Sequence, residues 1–259
     1  MSAPSIVLRV AAAANLQFVL DPLQEVFQQQ YPHIRVRVVY GSSGQWYAQI
    51  RQGAPFDLFL SADWTYPERL YREGLGRSPP RVYAEGRLVI WGRRDRRWAI
   101  ERGFRLLTDA RVQRIALANP QYAPYGVRAR ESLQYYGLWQ HLQGKVVYGV
   151  SVTQALHFVV SGNADLGILA LALARAPALR DIGVYCIIDP RSHTPLRQGA
   201  LILRAASHPE TAQRFITFLR TPIAQRILNQ YGFRTGSTED EPPAGYCAPP
   251  ANVRRDHPR

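Results

Sequence analysis

The chain has 259 residues, of which 46% are hydrophobic and 11% aromatic. This composition excludes a disordered chain, and the length allows one large hydrophobic core or two smaller ones. The formal net charge of +13 is almost entirely arginine, because Lys145 is the only lysine. Since the arginines are spread along the whole chain, we interpret them as a compositional bias and not as a nucleic-acid groove. Such a charge would still speed the arrival of anions.

No apolar run approaches the ~20 residues of a membrane span; LGILALALA is the longest candidate. After MSAP the chain enters the strand-like SIVLRVAAAA directly, so no signal peptide is recognised. A removed export segment, a start codon assigned too late and a cytoplasmic protein all stay open.

The two cysteines, Cys186 and Cys247, are far apart in sequence and have no metal-ligand spacing. Cys186 lies in the strand-like VYCII, which favours a buried thiol, and Cys247 lies in a proline-rich segment. A disulfide between them is the alternative, and it would require an oxidising compartment.

Hydrophobic periodicity predicts strands and helices in alternation along the first part of the chain. The predicted elements are a strand over 7–13, a helix over 16–30, a strand over 34–40, a helix over 44–52 and a strand over 56–61. This order indicates right-handed βαβ units on a parallel sheet.

A second set of strands and helices follows. Strands are predicted over 87–91, 114–118, 145–150, 166–171 and 184–188, with helices over 127–136 and 154–160. A late strand over 199–204 and a helix, or a pair of helices, over 209–231 complete the elements.

The two sets predict an α/β protein of two lobes joined by a hinge, each lobe a mainly parallel sheet flanked by helices, with a cleft between them. The predicted first lobe is discontinuous, 1–86 plus 195–236, and the second lobe is 87–194. Residues 237–259 are rich in proline and charge, which is typical of a disordered tail.

Four strand-like runs end in small or hydroxyl-bearing residues and give way to a helix. The junctions are Ala14-Asn15, Ser42-Ser43, Tyr125-Gly126 and Ser151-Val152-Thr153. No Lys, Arg, Asp or Glu lies in these turns. Each helix start leaves amide N–H groups unpaired and carries about half a positive charge. Four of them meeting in the cleft predict a site for a small dianion and suit catalysis poorly.

Several segments, in order over about residues 6–235, resemble the molybdate-binding proteins of bacterial ABC importers. They are AAAANLQ, YGSSGQWYAQIRQGAPFDLFLSAD, NPQYAPYGVRARESLQYYGLW, SVTQAL followed by GNADLGIL, and RTPIAQRILNQYGF. The resemblance implies a two-lobed periplasmic-binding-protein-like fold of type II. It also implies a solute-binding protein that holds molybdate or tungstate in the cleft and delivers it to a permease.

Carried over by position, the resemblance implies that the oxyanion is held by Asn15, Ser43, Tyr125 and Val152. Further candidates beside them are Ala14, Ser42, Gly126 and Thr153. Val152 would donate its backbone N–H. Ala170 stands where some relatives have a ligand tyrosine, so that contact is not expected here.

The chemistry of the anion agrees with the resemblance. Molybdate is a dianion that only accepts hydrogen bonds, whereas monohydrogen phosphate also carries a proton that needs an acceptor. An unmet buried P–OH would cost about 1–3 kcal/mol, so turns without a carboxylate disfavour phosphate. Sulfate is chemically equivalent to molybdate but smaller, and its ranking stays open.

The resemblance implies a periplasmic monomer without a cofactor or enzymatic activity, which works with ABC permease and ATPase subunits and binds no nucleic acid. Two alternatives stay open: a cytoplasmic oxyanion-sensing module of this fold, and an enzyme on the same scaffold that uses Asp57 or Asp63. The histidines show no catalytic or metal-binding spacing, and no GxSxG, Walker or dinucleotide-binding motif is present.

Overall fold

Two five-stranded sheets form the framework of the computed structural model, which describes residues 6–236 and 245–250. The strands are β1 (Ile6–Ala13), β2 (Ile34–Gly41), β3 (Leu58–Ser61), β4 (Arg81–Gly86), β5 (Leu88–Arg93), β6 (Ile115–Ala118), β7 (Val146–Gly149), β8 (Leu166–Ala170), β9 (Gly183–Ile187) and β10 (Leu196–Ile202). The strand order is β2-β1-β3-β10-β4 in the first sheet and β7-β6-β8-β5-β9 in the second.

Helices flank both sheets. They are α1 (Leu20–Gln30), α2 (Ser43–Arg51), α3 (Thr65–Arg72), α4 (Phe104–Leu107), α5 (Pro124–Tyr135), α6 (Trp139–Leu142), α7 (Val152–Val160), α8 (Leu171–Ala174), α9 (Pro209–Leu219) and α10 (Pro222–Gln230). No helix in these described ranges has the length and hydropathy that a membrane crossing requires.

Each sheet contains one strand that runs against the others. In the first sheet β1, β2 and β3 are parallel, and β10 is antiparallel to both of its neighbours. In the second sheet β5 has the same position between β8 and β9. These reversed strands are the first that the chain forms after each passage between the sheets. Both sheets are therefore mainly parallel, and the predicted two-lobed α/β fold is confirmed.

Each lobe has its own hydrophobic core. Phe27 and Phe215 meet edge to face in the first lobe, with ring centroids 4.9 Å apart. Trp91 and Phe104 are fully buried in the second lobe. Each core is thus formed mainly by the apolar side chains of one sheet and its helices, with a few alanines contributed across the interface between the lobes.

The helix predicted over 16–30 is wrong at its beginning. Ala14–Leu16 forms a single 3-10 turn, and α1 begins only at Leu20. Pro22 explains the late start, because proline has no N–H and its ring would clash with the carbonyl of Phe18 in a longer helix. Within the first turn of α1 the same proline is tolerated.

Residues 245–250 are ordered, which corrects the prediction of a disordered tail for that part. Cys247 is joined to Cys186 by a disulfide, with Cα atoms 4.9 Å apart. The Cys247 amide donates to the Ile187 carbonyl at 2.7 Å, so the segment continues the edge of the second sheet. The buried free thiol expected at Cys186 is therefore also wrong. The rest of the tail, 237–244 and 251–259, lies outside the described residues.

Candidate functional site

A small cavity lies between the two sheets, at the carboxyl ends of their strands. Turns from both lobes line it, and they include most of the residues that the sequence singles out: Ala14, Asn15, Ser42, Ser43, Tyr125 and Val152. Gly126 and Thr153 belong to the same turns but do not line the cavity. The structure thus brings residues of all four predicted junctions together.

Three α-helices begin at the cavity. Ser43 is the first residue of α2, Val152 is the first residue of α7, and Tyr125 is the second residue of α5. The first amides of a helix have no intrahelical acceptor, so those of Ser43 and Val152 have no partner within their own helices. The remaining junction, Ala14-Asn15, begins only the 3-10 turn Ala14–Leu16, which contributes little dipole.

The two serines before α2 differ in what their hydroxyl groups do. Ser43 Oγ accepts a hydrogen bond from the Ala62 amide at 3.0 Å, which leaves the hydroxyl hydrogen of Ser43 available as a donor. Ser42 Oγ donates to Gln45 Oε1 at 2.8 Å, so its hydrogen is occupied at the helix start. Ser43 is therefore the serine that can donate into the cavity.

Asn15 is fixed by a buried polar network. Its Nδ2 donates to Gln198 Oε1 at 2.9 Å, and Gln198 Nε2 donates to the carbonyl oxygens of Ala62 and Leu196. This network occupies one of the two amide hydrogens of Asn15 and orients its side chain. Asn15 Oδ1 is buried and has no hydrogen-bond partner.

Tyr125 places a second unpartnered polar atom beside this network. Its hydroxyl is buried and makes no hydrogen bond of ordinary geometry, although Asn15 lies near enough to favour the ionised form slightly. Burial is the larger effect and raises the pKa of Tyr125 well above its usual range. The hydroxyl oxygen occupies the position that a side chain on Gly86 would need, where the chain passes from the first lobe to the second. Tyr125 is thus a neutral donor throughout the physiological pH range.

Gly126 and Thr153 have other partners. The Gly126 amide donates to the Ala123 carbonyl at 3.0 Å within the turn. Thr153 Oγ1 donates to the Ala14 carbonyl at 3.1 Å, from the second lobe to the first. Their donors are therefore used inside the protein.

None of the described residues that line the cavity is charged at neutral pH. Of the two alternative catalytic residues, Asp63 directly follows the lining residue Ala62 in sequence. It accepts hydrogen bonds from the Ser61 hydroxyl and the Tyr66 amide. Burial raises the pKa of Asp63, while these hydrogen bonds and Arg128 act in the opposite direction. Among the lining groups, positive partial charge is therefore supplied by helix-terminal amides and not by cationic side chains, which would lose hydration there.

Asp57 lies away from the cavity. It accepts hydrogen bonds from the Arg9 amide at 2.8 Å and the Ser207 amide at 2.7 Å, and it pairs with the Arg9 guanidinium. Burial would raise its pKa, but these contacts outweigh that effect and hold the pKa below its usual value. Asp57 therefore ties β1 to β3 and the segment before α9, and it is not placed to serve as a cleft acid or base.

A larger hollow of ≈ 920 Å³ lies elsewhere on the surface, lined by Arg94, Arg175 and Arg180. Arg94 donates to main-chain carbonyls that include that of Gly183 at 3.2 Å, and Arg175 donates to the Asn229 carbonyl at 3.4 Å. Two of the guanidinium groups that line this hollow are already bonded to protein oxygens. The cavity between the lobes, which is lined by hydrogen-bond donors without a charged side chain, is the better candidate for a specific anion site.

Gln198 and Ala62 also belong to the site, although the sequence pattern did not indicate them, and Ser151 of the predicted junction Ser151-Val152-Thr153 lines the cavity. The Ser151 hydroxyl oxygen accepts from the Gln154 amide and caps α7, which agrees with its predicted position before a helix. Gln198 had no such signal, because its partner Asn15 is 183 positions away in sequence.

Two α/β lobes with a cavity of donor groups between them define a solute-binding protein. The family model for bacterial extracellular solute-binding proteins matches residues 8–234, which is most of the chain. The chain belongs to this family.

Within this family, the chain is similar in sequence and structure to molybdate-binding proteins. The chain is 34% identical to the molybdate-binding protein ModA of Rhodobacter capsulatus over 226 residues, which are 87% of each protein. It is also 34% identical to ModA of Azotobacter vinelandii, over 87% of this chain and 89% of that protein. The solved periplasmic molybdate-binding protein of Azotobacter vinelandii superposes with a TM-score of 0.79, at 32% identity, over 88% of this chain and 99% of that chain.

Proposed function

We propose that this chain is the solute-binding component of a molybdate ABC importer and that the cavity between the lobes holds the oxyanion. One observation supports this most strongly: both lobes direct helix N-termini into a cavity that no charged side chain lines. Such a site offers hydrogen-bond donors and positive partial charge, which together match an anion that only accepts. The similarity to molybdate-binding proteins agrees with this chemistry.

The proposed contacts come from each lobe. From the first lobe, Ser43 would donate through its hydroxyl and its amide, and Asn15 through its remaining amide hydrogen. From the second lobe, Val152 would donate its amide, and the unpartnered Tyr125 hydroxyl would turn towards the ligand or towards Asn15 Oδ1. Ala14 and Ser42 would make only van der Waals contacts with the anion. Tungstate has the same charge and tetrahedral form, so we propose it as a second ligand.

Phosphate is disfavoured by the same cavity. At neutral pH monohydrogen phosphate must donate its remaining proton, and no carboxylate lines the cavity. Asn15 Oδ1 and the Tyr125 hydroxyl are the unpartnered side-chain groups among the lining residues described, and a hydrogen bond from the Tyr125 hydroxyl would occupy Asn15 Oδ1. Leaving the P–OH group without an acceptor costs about 1–3 kcal/mol. We therefore expect molybdate to be preferred over phosphate.

We propose capture and release without chemical turnover and without a cofactor. Asp57 and Asp63 were the alternative catalytic acids, and both are hydrogen-bonded within the first lobe. Neither lines the cavity. The relatives compared are binding proteins, which supports the same proposal.

We further propose that the protein acts outside the cytoplasm as a monomer and passes its ligand to a permease driven by an ATPase. The disulfide between Cys186 and Cys247 supports an oxidising compartment. It therefore disfavours the alternative of a cytoplasmic sensor. We propose no nucleic-acid partner, because the arginines are dispersed and many of them bond to neighbouring carboxylates or carbonyls.

Calorimetric titration with molybdate, tungstate, sulfate and phosphate tests the proposal. We expect tight binding of the first two and no measurable binding of phosphate. The constants should be the same at about pH 6 and about pH 9, because no lining group titrates there: burial raises the pKa of Tyr125 away from this range. Phosphate affinity equal to that for molybdate would refute the acceptor argument, and absence of molybdate binding would refute the function.

A further inference from the structure

The beginning of α2 contacts the second lobe directly. The Gly44 amide donates to the Tyr122 carbonyl at 2.8 Å, and Tyr122 lies in the turn between β6 and α5. This bond joins the two lobes beside the cavity, one residue after Ser43. It can exist only while the lobes are together, since its donor and acceptor belong to different lobes.

Gly44 has no room for a side chain in this arrangement. A Cβ atom there would lie 2.8 Å from the Tyr122 carbonyl oxygen, 3.0 Å from the Tyr122 Cα and 2.7 Å from the Tyr66 hydroxyl. Two of these three atoms belong to the backbone and cannot rotate away. Gly44 is not among the glycines with positive φ. Its backbone conformation therefore does not require glycine, whereas the approach of the second lobe does.

The turn that Gly44 meets is held in place by its own hydrogen bonds. The Tyr122 amide donates to the Asn119 carbonyl at 3.1 Å, and the Gln121 amide donates to Asn119 Oδ1 at 2.9 Å. A Cβ on Gly44 would therefore push against a rigid turn. The result would be separation of the lobes at this edge and not a local adjustment.

We propose that Gly44 is a positioning residue for cleft closure: its lack of a side chain lets the lobes meet, and its amide bonds the opposite lobe once they have met. The inference rests on the proposed function, because closure is meaningful only around a ligand. Thr153 makes a second bond between the lobes, from its hydroxyl to the Ala14 carbonyl. Both groups stabilise the closed form without touching the anion.

The closure role is tested by comparing Gly44→Ala with Gly144→Ala. Gly144 is exposed, has no heavy atom within 4 Å of its Cβ position and is not among the glycines with positive φ, so it is a matched control. Three quantities are measured for each full-length variant: the molybdate dissociation constant, the ligand dissociation rate from tryptophan fluorescence, and the Tm without ligand.

We expect Gly44→Ala to weaken molybdate binding at least about tenfold, mainly through faster dissociation. Its ligand-free Tm should be unchanged or higher, because alanine favours a helix more than glycine does. A purely structural role would lower the Tm instead and leave the affinity of the folded protein unchanged. Gly144→Ala should bind as the wild type does.

The outcomes separate this inference from the proposed function. If the wild type binds molybdate and Gly44→Ala binds it with the same affinity and dissociation rate, the closure role is refuted and the function stands. If the wild type does not bind molybdate, the proposed function is refuted, and the closure role fails with it.

Discussion

Ser43 has hydrogen bonds that define its possible role. Its oxygen accepts a hydrogen bond from the Ala62 amide. Because that bond does not use the hydroxyl hydrogen, the hydrogen can point into the cavity. The preceding Ser42 has the opposite arrangement, with its hydrogen given to Gln45. The two adjacent hydroxyl groups are therefore arranged differently: the Ser42 hydrogen is used at the helix start, and the Ser43 hydrogen is left available to donate.

Replacing these serines one at a time separates the two roles. Ser43→Ala should weaken molybdate binding by about 1–3 kcal/mol, because it removes a hydrogen bond to a charged group. Ser42→Ala should lower the stability of the ligand-free protein by about 1 kcal/mol, as expected for a lost helix cap, with a smaller effect on affinity. Calorimetry gives the affinities and urea unfolding gives the stabilities. Unchanged affinity in Ser43→Ala would remove that hydroxyl group from the site.

At the scale of secondary-structure elements, sequence pattern and structure agree best for buried strands. The run predicted over 114–118 is the strand Ile115–Ala118, all of it buried. Arg81–Gly86 and Thr65–Arg72 were not predicted. The first begins with two exposed residues at a sheet edge, and the second buries few residues of a polar sequence, so neither shows a continuous apolar pattern. Their formation depends on partners elsewhere in the chain.

The helix starts of the site were predictable for a local reason. A hydroxyl-bearing or small residue after a buried strand marks a helix N-terminus, and its capping role does not depend on distant residues. The contact between Asn15 and Gln198, and the bond from Gly44 to Tyr122, were not predictable in this way. Each joins elements whose relative position follows only from the complete fold.

The disulfide is the element that departs most from what the pattern favoured. Cys186 is in β9, and Cys247 belongs to a segment that also pairs with Ile187 through Tyr246. The segment covers an edge of the second sheet, and its Ala248 carbonyl accepts from the Phe104 amide at 3.0 Å. A local proline-rich composition suggested disorder, but a covalent bond to a strand offsets the low apolar content.

Removing this bond should lower stability and leave the site intact. Replacing both cysteines with serine should decrease the free energy of unfolding by about 2–4 kcal/mol, because the bridge joins residues 61 positions apart. Molybdate affinity of the folded variant should match the wild type, since neither cysteine lines the cavity. Urea unfolding and calorimetry measure the two quantities. Two reactive thiols in the denatured, unreduced wild type would show that the bond does not form.

At the scale of the whole molecule, the chain passes from the first sheet to the second between β4 and β5, and it returns between β9 and β10. The lobes also contact each other through Arg87, whose Nε donates to the Gly232 carbonyl at 2.9 Å after α10. Near the cavity they meet through the Gly44 and Thr153 bonds. The arrangement joins a covalent hinge at one side with bonds between the lobes at the cavity, which suits a cleft that closes around a ligand.

The most direct test of the proposed site is a crystal structure of the protein with molybdate bound, in which the metal is located by anomalous scattering at the molybdenum edge. We predict one strong peak between the lobes, with the oxygens of the anion bonded to the Ser43 hydroxyl and to the amides of Ser43 and Val152. A peak at the arginine-lined hollow beside Arg94, or an anion in the cleft held by a charged side chain, would contradict the account.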